Sequence, residues 1–200
     1  MDWNWIAAVS GFALAMAGTP GPNNTIVTAA GANHGFRRTL PFISGITIGV
    51  AVIMLVVAGI GSPLLADPRV RTAVKWAGVF YLLWLAWRIG NASPKTAHAT
   101  AAKPLTLTQG ALFQLVNPKL WAMVAGAVAA FGGASDGHDS FTVPTAFAAI
   151  FGTATLASTV AWTLVGVSAG RLIRSERAMR LFNWTMAALL VLSLTPVVME

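Results

Sequence analysis

Gly18-Thr19-Pro20-Gly21-Pro22-Asn23-Asn24-Thr25 stands in the middle of the first long apolar run of the chain, and its reading decides the fold. Proline lacks the amide hydrogen and clashes with the preceding turn, so two prolines flanking a glycine predict a helix that opens rather than merely bends. The run around it, about Trp5 to Ala32, is long enough to cross a bilayer, which takes about 20 apolar residues at roughly 1.5 Å rise each. The opening then falls near the midplane, where exposed backbone is tolerated only if it is buried in protein or lines a wet cavity. A cavity is the functional reading. A kinked helix whose freed carbonyls are satisfied by neighbours is the plainer one.

Five more apolar segments follow, at about Leu40 to Gly61, Ala73 to Ile89, Thr108 to Phe131, Pro144 to Val167 and Met179 to Met199. The expected fold is an all-α integral membrane protein with six transmembrane helices. The third segment is short and holds Trp76, Tyr81, Trp84 and Trp87, of which the outer two suit the aromatic belts of a membrane. The polar stretch Asn91 to Thr106 has the composition of a linker and divides the segments three and three. One membrane domain over 1–200 is therefore expected, with repeat one at about 1–90, the linker at about 91–106 and repeat two at about 107–200. An odd number of spans per half forces the second half to enter with the opposite orientation, the logic of inverted repeats. Segment four carries Asn117-Pro118-Lys119 at its middle, as segment one carries Thr19 to Asn24, so helices 1 and 4 are expected to be interrupted near the midplane. Gly45/Gly49 and Gly166/Gly170, in segments two and five, read as close helix packing.

Composition agrees with lipid as the solvent: 56% of the 200 residues are hydrophobic and only 10% are charged. The net charge of +7 does not point to nucleic acid, because the Lys and Arg residues sit in short connectors rather than on one solvated face. Without cysteine there is no disulfide, thiolate metal site or cysteine nucleophile, and no metal or cofactor is expected. The opening Met1-Asp2-Trp3-Asn4-Trp5 lacks the basic region and cleavage pattern of a secretory signal, so the first segment reads as retained. Loops one, three and five hold Arg37, Arg38, Arg88, Lys95, Lys103, Arg171, Arg174, Arg177 and Arg180, against Arg69, Arg71 and Lys75 on the opposite side. The positive-inside rule places both termini outside.

Lys119 is the one ionisable residue well inside a span. A lysine at the bilayer centre costs about 2.5–3.5 kcal/mol on insertion scales, so it must face a cavity or a partner. No Asp, Glu or His lies within a span, which leaves backbone carbonyl, Asn117, Asn23, Asn24 or a bound anion. A structural lysine bonded to a helix end accounts for the pattern equally well.

Taken in order, Thr19-Pro-Gly-Pro-Asn-Asn24, His34-Gly-Phe-Arg-Arg38, Gly45-x-x-x-Gly49, Trp76-Ala-Gly-x-x-Tyr81-Leu and Val116-Asn-Pro-Lys119 resemble the LysE/RhtB family of bacterial amino-acid exporters. Pro-Gly-Pro-Asn-Asn and Trp84-Leu-Ala-Trp-Arg88 are most similar to the cysteine and O-acetylserine exporter branch. Many members carry Asp after Pro-Gly-Pro; Asn23 stands there here and removes that carboxylate. The resemblance implies efflux of a small neutral amino acid or derivative, of the cysteine/O-acetylserine or threonine/homoserine type, across the bacterial inner membrane and driven by protons. Its expected partners are that substrate and the bilayer, with a homodimer open. The candidate substrate-binding residues are Thr19, Pro20, Gly21, Pro22, Asn23, Asn24, Asn117, Pro118 and Lys119, with Trp121 and Trp162 as walls. A membrane enzyme would need a nucleophile and base or clustered ligands inside the membrane, whereas His34, His98 and His138 fall in loops. A structural or sensory membrane subunit without transport is the alternative, and it has no need of paired midplane breaks.

Overall fold

The computed structural model describes residues 2–60, 68–92, 104–132, 141–173 and 175–199. Lys95, Lys103, Arg174, Asp67, Asp136, Asp139, Glu200, His98, His138 and most of the expected linker lie outside the described residues. All regular structure described is helical: α1 (Trp3–Gly18), α2 (Pro22–His34), α3 (Phe36–Ile60), α4 (Pro68–Gly90), α5 (Leu107–Leu115), α6 (Pro118–Phe131), α7 (Thr142–Leu172), α8 (Glu176–Leu192) and α9 (Thr195–Met199).

Among the described residues, α3 and α7 are each long and apolar enough to cross a membrane, and α5 with α6, bent by 60° at their break, make a third such unit. The first expected segment is the pair α1 and α2, broken at Thr19 to Gly21, and the sixth is α8 with α9. The third expected segment is longer than the sequence reading placed it, starting at Pro68 rather than Ala73. Many large apolar side chains point outward, among them Ile48, Val52, Phe80, Leu112, Leu164 and Val165. Such exposure suits a hydrocarbon solvent. Trp76 and Trp87 on α4 are also exposed.

The centre of the bundle is α3 against α7, with α2 along α7, α5 along α3, and α4 against α8. Glycine permits the two closest crossings. A Cβ on Gly166 would collide with the Thr28 carbonyl and one on Gly170 with that of Ala32, while Gly31 abuts Thr163. The order of these contacts makes α2 and α7 parallel. On the other crossing Gly45 meets Leu107, Gly49 meets Ala111, and Gly110 meets Phe42, so α3 and α5 are also parallel. Gly-x-x-x-Gly thus does the packing expected of it, helix backbone against helix backbone.

The ends of α2, α4 and α7 meet the starts of α3 and α8. Asn33 and Asn183, 150 residues apart, exchange side-chain hydrogen bonds of 2.8 and 3.2 Å, and Asn183 also donates to the Ala92 carbonyl. The α2–α3 corner needs Gly35, whose φ of 78° is a left-handed conformation. Arg37, Arg38, Arg88, Arg171, Arg177 and Arg180 all belong to these helix ends, so the bundle has one basic end.

Overpacking a well-filled contact costs about 1–3 kcal/mol, and more where the obstacle is backbone. Gly166→Leu should therefore lower the thermal midpoint of detergent-purified protein sharply or abolish its recovery. Gly11→Ala, where a Cβ meets nothing within 4 Å, should leave the midpoint unchanged.

Candidate functional site

A helix leaves its last four carbonyls without intrahelical partners, and at the end of α1 those carbonyls fall partway along the first expected span. Each is met by a side chain. Thr19 Oγ1 donates to Met16 O at 2.9 Å. Ser158 Oγ and Asn24 Nδ2 donate to Ala17 O at 2.7 and 2.8 Å. Trp162 Nε1 donates to Gly18 O at 3.2 Å, and Asn24 Nδ2 also reaches Thr19 O at 2.9 Å. Lys119 Nζ completes the set, at 2.6 Å from Thr19 O, 2.8 Å from Thr19 Oγ1 and 3.5 Å from Pro20 O.

Lys119 comes from the second break. Val116 and Asn117 separate α5 from α6, Pro118 opens α6, and the Asn117 side chain caps it by accepting from Lys119 N at 3.2 Å. Lysine at the start of its own helix faces the positive end of that helix's dipole, which repels it. Its side chain instead crosses to the negative, carbonyl end of α1, where a cation is favoured. Gly21 makes room: a Cβ there would lie 2.7 Å from Lys119 Cδ. The carbonyl freed at the end of α5 is also closed by an indole, Trp121 Nε1 donating to Leu115 O at 2.8 Å.

Three amides tie the two breaks together. Asn23 and Gln114 exchange hydrogen bonds of 3.1 and 3.0 Å, and Asn117 Nδ2 donates to Asn23 Oδ1 at 3.3 Å and to Gln114 Oε1 at 3.2 Å. Gln114 and Asn117 are buried. No side chain caps α2, whose first turn begins with Pro22 and so offers the amides of Asn23 and Asn24 as its first donors.

Beside this network is a cleft. Its polar wall is Gly21, Asn23, Asn24, Asn117, Lys119, Thr155, Ser158 and Thr159; its apolar wall includes Met16, Val50, Leu120 and Met123. Of the expected residues, Gly21, Asn23, Asn24, Asn117 and Lys119 line the cleft. Thr19 and Pro20 supply the acceptors for Lys119, and Pro22 and Pro118 set the helix starts. Trp121 and Trp162 are not among the residues that line it; their N–H groups donate to the freed carbonyls of Leu115 and Gly18. Gln114, Thr155, Ser158 and Thr159 were missed by the sequence reading, which weighed ionisable groups; a glutamine in an apolar run was the available signal for the first.

A second cleft lies at the basic end, lined by Ile26, Ala29, Asn33, His34, Arg88 and Leu105 among others. Burial, and then the charges of Arg38 and Arg88, push the pKa of His34 below its usual value.

The family model described as LysE type translocator matches residues 14–195. The chain belongs to this family. Cysteine/O-acetylserine efflux proteins of Escherichia coli, Shigella flexneri and Shigella sonnei are 36% identical to it over 110 residues, 54% of this chain and 56% of theirs. The match thus spans about half the length of these curated relatives. No solved structure matches the chain.

Residues sharing one hydrogen-bond network couple by about 0.5–3 kcal/mol. In a double-mutant cycle on thermal stability, Asn23→Ala and Gln114→Ala should each destabilise, while the pair costs clearly less than the sum. Additive losses would mean that the two amides act independently.

Proposed function

We propose that this LysE-family chain exports a small neutral amino acid or derivative, of the cysteine/O-acetylserine or threonine/homoserine type, across the bacterial inner membrane at the expense of the proton gradient. The observation that carries the reading is the meeting of two helix breaks from opposite halves at one polar cleft, through Lys119 on Thr19 and Pro20 and through Asn23 on Gln114 and Asn117. Broken half-helices facing each other at mid-bundle suit a zwitterion. The positive start of α2, at Asn23 and Asn24, suits its carboxylate, and the carbonyl end of α1 suits its ammonium. Thr19, Pro20, Gly21, Pro22, Asn117 and Pro118 shape this site, and Trp121 and Trp162 hold its two broken ends. Met16, Val50, Leu120 and Met123 leave an apolar side for a short side chain.

The architecture belonging to this reading is six spans in two inverted three-helix repeats within a single membrane domain. Exchanging the halves turns the α1/α7 contact into the α5/α3 contact, and each is a parallel pair, the first running from Trp5 on Phe147 to Ala17 on Ser158. The first pair runs toward the basic end and the second away from it. Packing of α3 on α7 and of α4 on α8 maps onto itself. By the positive-inside rule the basic end is cytoplasmic and both termini are periplasmic. The described contacts bear on one protomer, as a monomer or within a homodimer.

Overproduction in cells should lower the internal content of the substrate and raise it in the medium, and Lys119→Met should abolish most of that effect while the protein still reaches the membrane. Vesicles that move none of cysteine, O-acetylserine, threonine or homoserine would refute the substrate class. The chain has no native cysteine, so single cysteines at Ser62, Ser93 and Ser135 report sidedness cleanly. An impermeant thiol reagent should reach them from outside, inside and outside respectively.

A further inference from the structure

We propose that the Lys119 ammonium is a built-in stand-in for the substrate's ammonium: it fills the carbonyl cradle of the empty carrier, leaves it on loading and returns on release. This rests on the amino-acid transport reading above. The cradle is Thr19 O, Thr19 Oγ1 and Pro20 O, three acceptors around one primary ammonium with three donors. An α-amino acid brings a group of the same charge, size and donor count. The carbonyl end of α1 is the acceptor-rich edge described at the cleft, and its other carbonyls are already taken by Ser158, Asn24 and Trp162. Substrate and lysine therefore compete for one place.

The tether matters for the return step. When α1 and α2 move with respect to α5 and α6, an unfilled cradle would expose the negative end of a helix at membrane depth, where unpaired polar groups are costly. Lys119 belongs to α6 and the cradle to the end of α1, so the same bond joins the two halves when no substrate does. On loading, the displaced ammonium lies beside the start of α2, where the substrate carboxylate binds, and pairs with it. Gly21 keeps the path of the lysine stem open, since a Cβ there would strike Cδ and come within 3.1 Å of Nζ. A lysine of merely structural use would serve net transport and exchange alike. A stand-in serves chiefly net transport, because exchange never requires the empty carrier to reorient.

The test uses the full chain in proteoliposomes loaded with labelled, reduced L-cysteine. Net efflux into substrate-free buffer is compared with exchange against saturating external unlabelled L-cysteine. In Lys119→Gln both rates fall, but the ratio of net efflux to exchange should drop about tenfold or more, because the empty state loses its means of reorienting. Gly21→Ala keeps the lysine and obstructs its stem, so its ratio should shift in the same direction; it decides the matter if Lys119→Gln does not fold. A ratio equal to wild type in the folded variants, or net efflux and exchange reduced by one common factor, overturns the stand-in and leaves the transport reading intact. Wild-type protein that moves no L-cysteine, O-acetylserine, threonine or homoserine in either mode overturns the transport reading and the stand-in with it.

Discussion

The carbonyls released where α1 ends are the constraint on which the rest of the structure depends. Pro20 and Pro22 cannot donate, so the backbone from Met16 to Pro20 carries acceptors that no helix satisfies. Left unpaired in an apolar bundle, each would cost several kcal/mol, about 2–7 by transfer measurements. Asn24 donates from just across the break, and the other donors come from far along the chain: Ser158 and Trp162 on α7, and Lys119 on α6. The break thereby fixes which helices must surround it. A local defect in one helix becomes the organising contact of the bundle.

The second break answers the first with opposite polarity. Where α1 presents carbonyls, α6 presents a capped helix start and a lysine that its own dipole repels. Each end relieves the other, and the reciprocal amides of Asn23 and Gln114 hold the two in register. The glycine crossings of α2 on α7 and α3 on α5 then bring each broken segment against the central pair α3 and α7. Close packing outside and polar satisfaction inside are separate tasks, and the sequence assigns them to separate residues. Small residues sit on the helix faces, and amides, hydroxyls and indoles sit near the breaks.

Local chemistry makes the breaks legible in the sequence. Pro20-Gly21-Pro22 and Asn117-Pro118 state a failure of the helix ladder at a definite place, and Gly45/Gly49 and Gly166/Gly170 state a close approach without naming the partner. Lys119 declared its need for acceptors, and backbone carbonyl was among the partners open to it. That the donors would be Trp162 and Ser158 was not legible, because which face of α7 meets α1 depends on the crossing as a whole. Trp121 and Trp162, deep in their spans, read as walls of a cavity; their N–H groups donate to the Leu115 and Gly18 carbonyls, partners that sequence position does not reveal. Gln114 was overlooked for a related reason: it carries no charge, and its importance comes from standing opposite Asn23, a relation between residues 91 apart in sequence.

The measurement that bears most directly on the account is a crystal structure of the chain with a selenium-containing amino acid bound, selenocysteine kept reduced or Se-methylselenocysteine. In native-methionine protein the ligand carries the selenium, so the anomalous peak locates it without ambiguity, and the absence of cysteine prevents a covalent selenium–sulfur adduct with the chain. The account predicts the peak in the cleft between Asn23 and Met123, with the ligand's carboxylate at the start of α2 and its ammonium on the Thr19 and Pro20 carbonyls. A peak confined to the cleft of His34 and Arg88, or Lys119 facing lipid away from the first break, would contradict it.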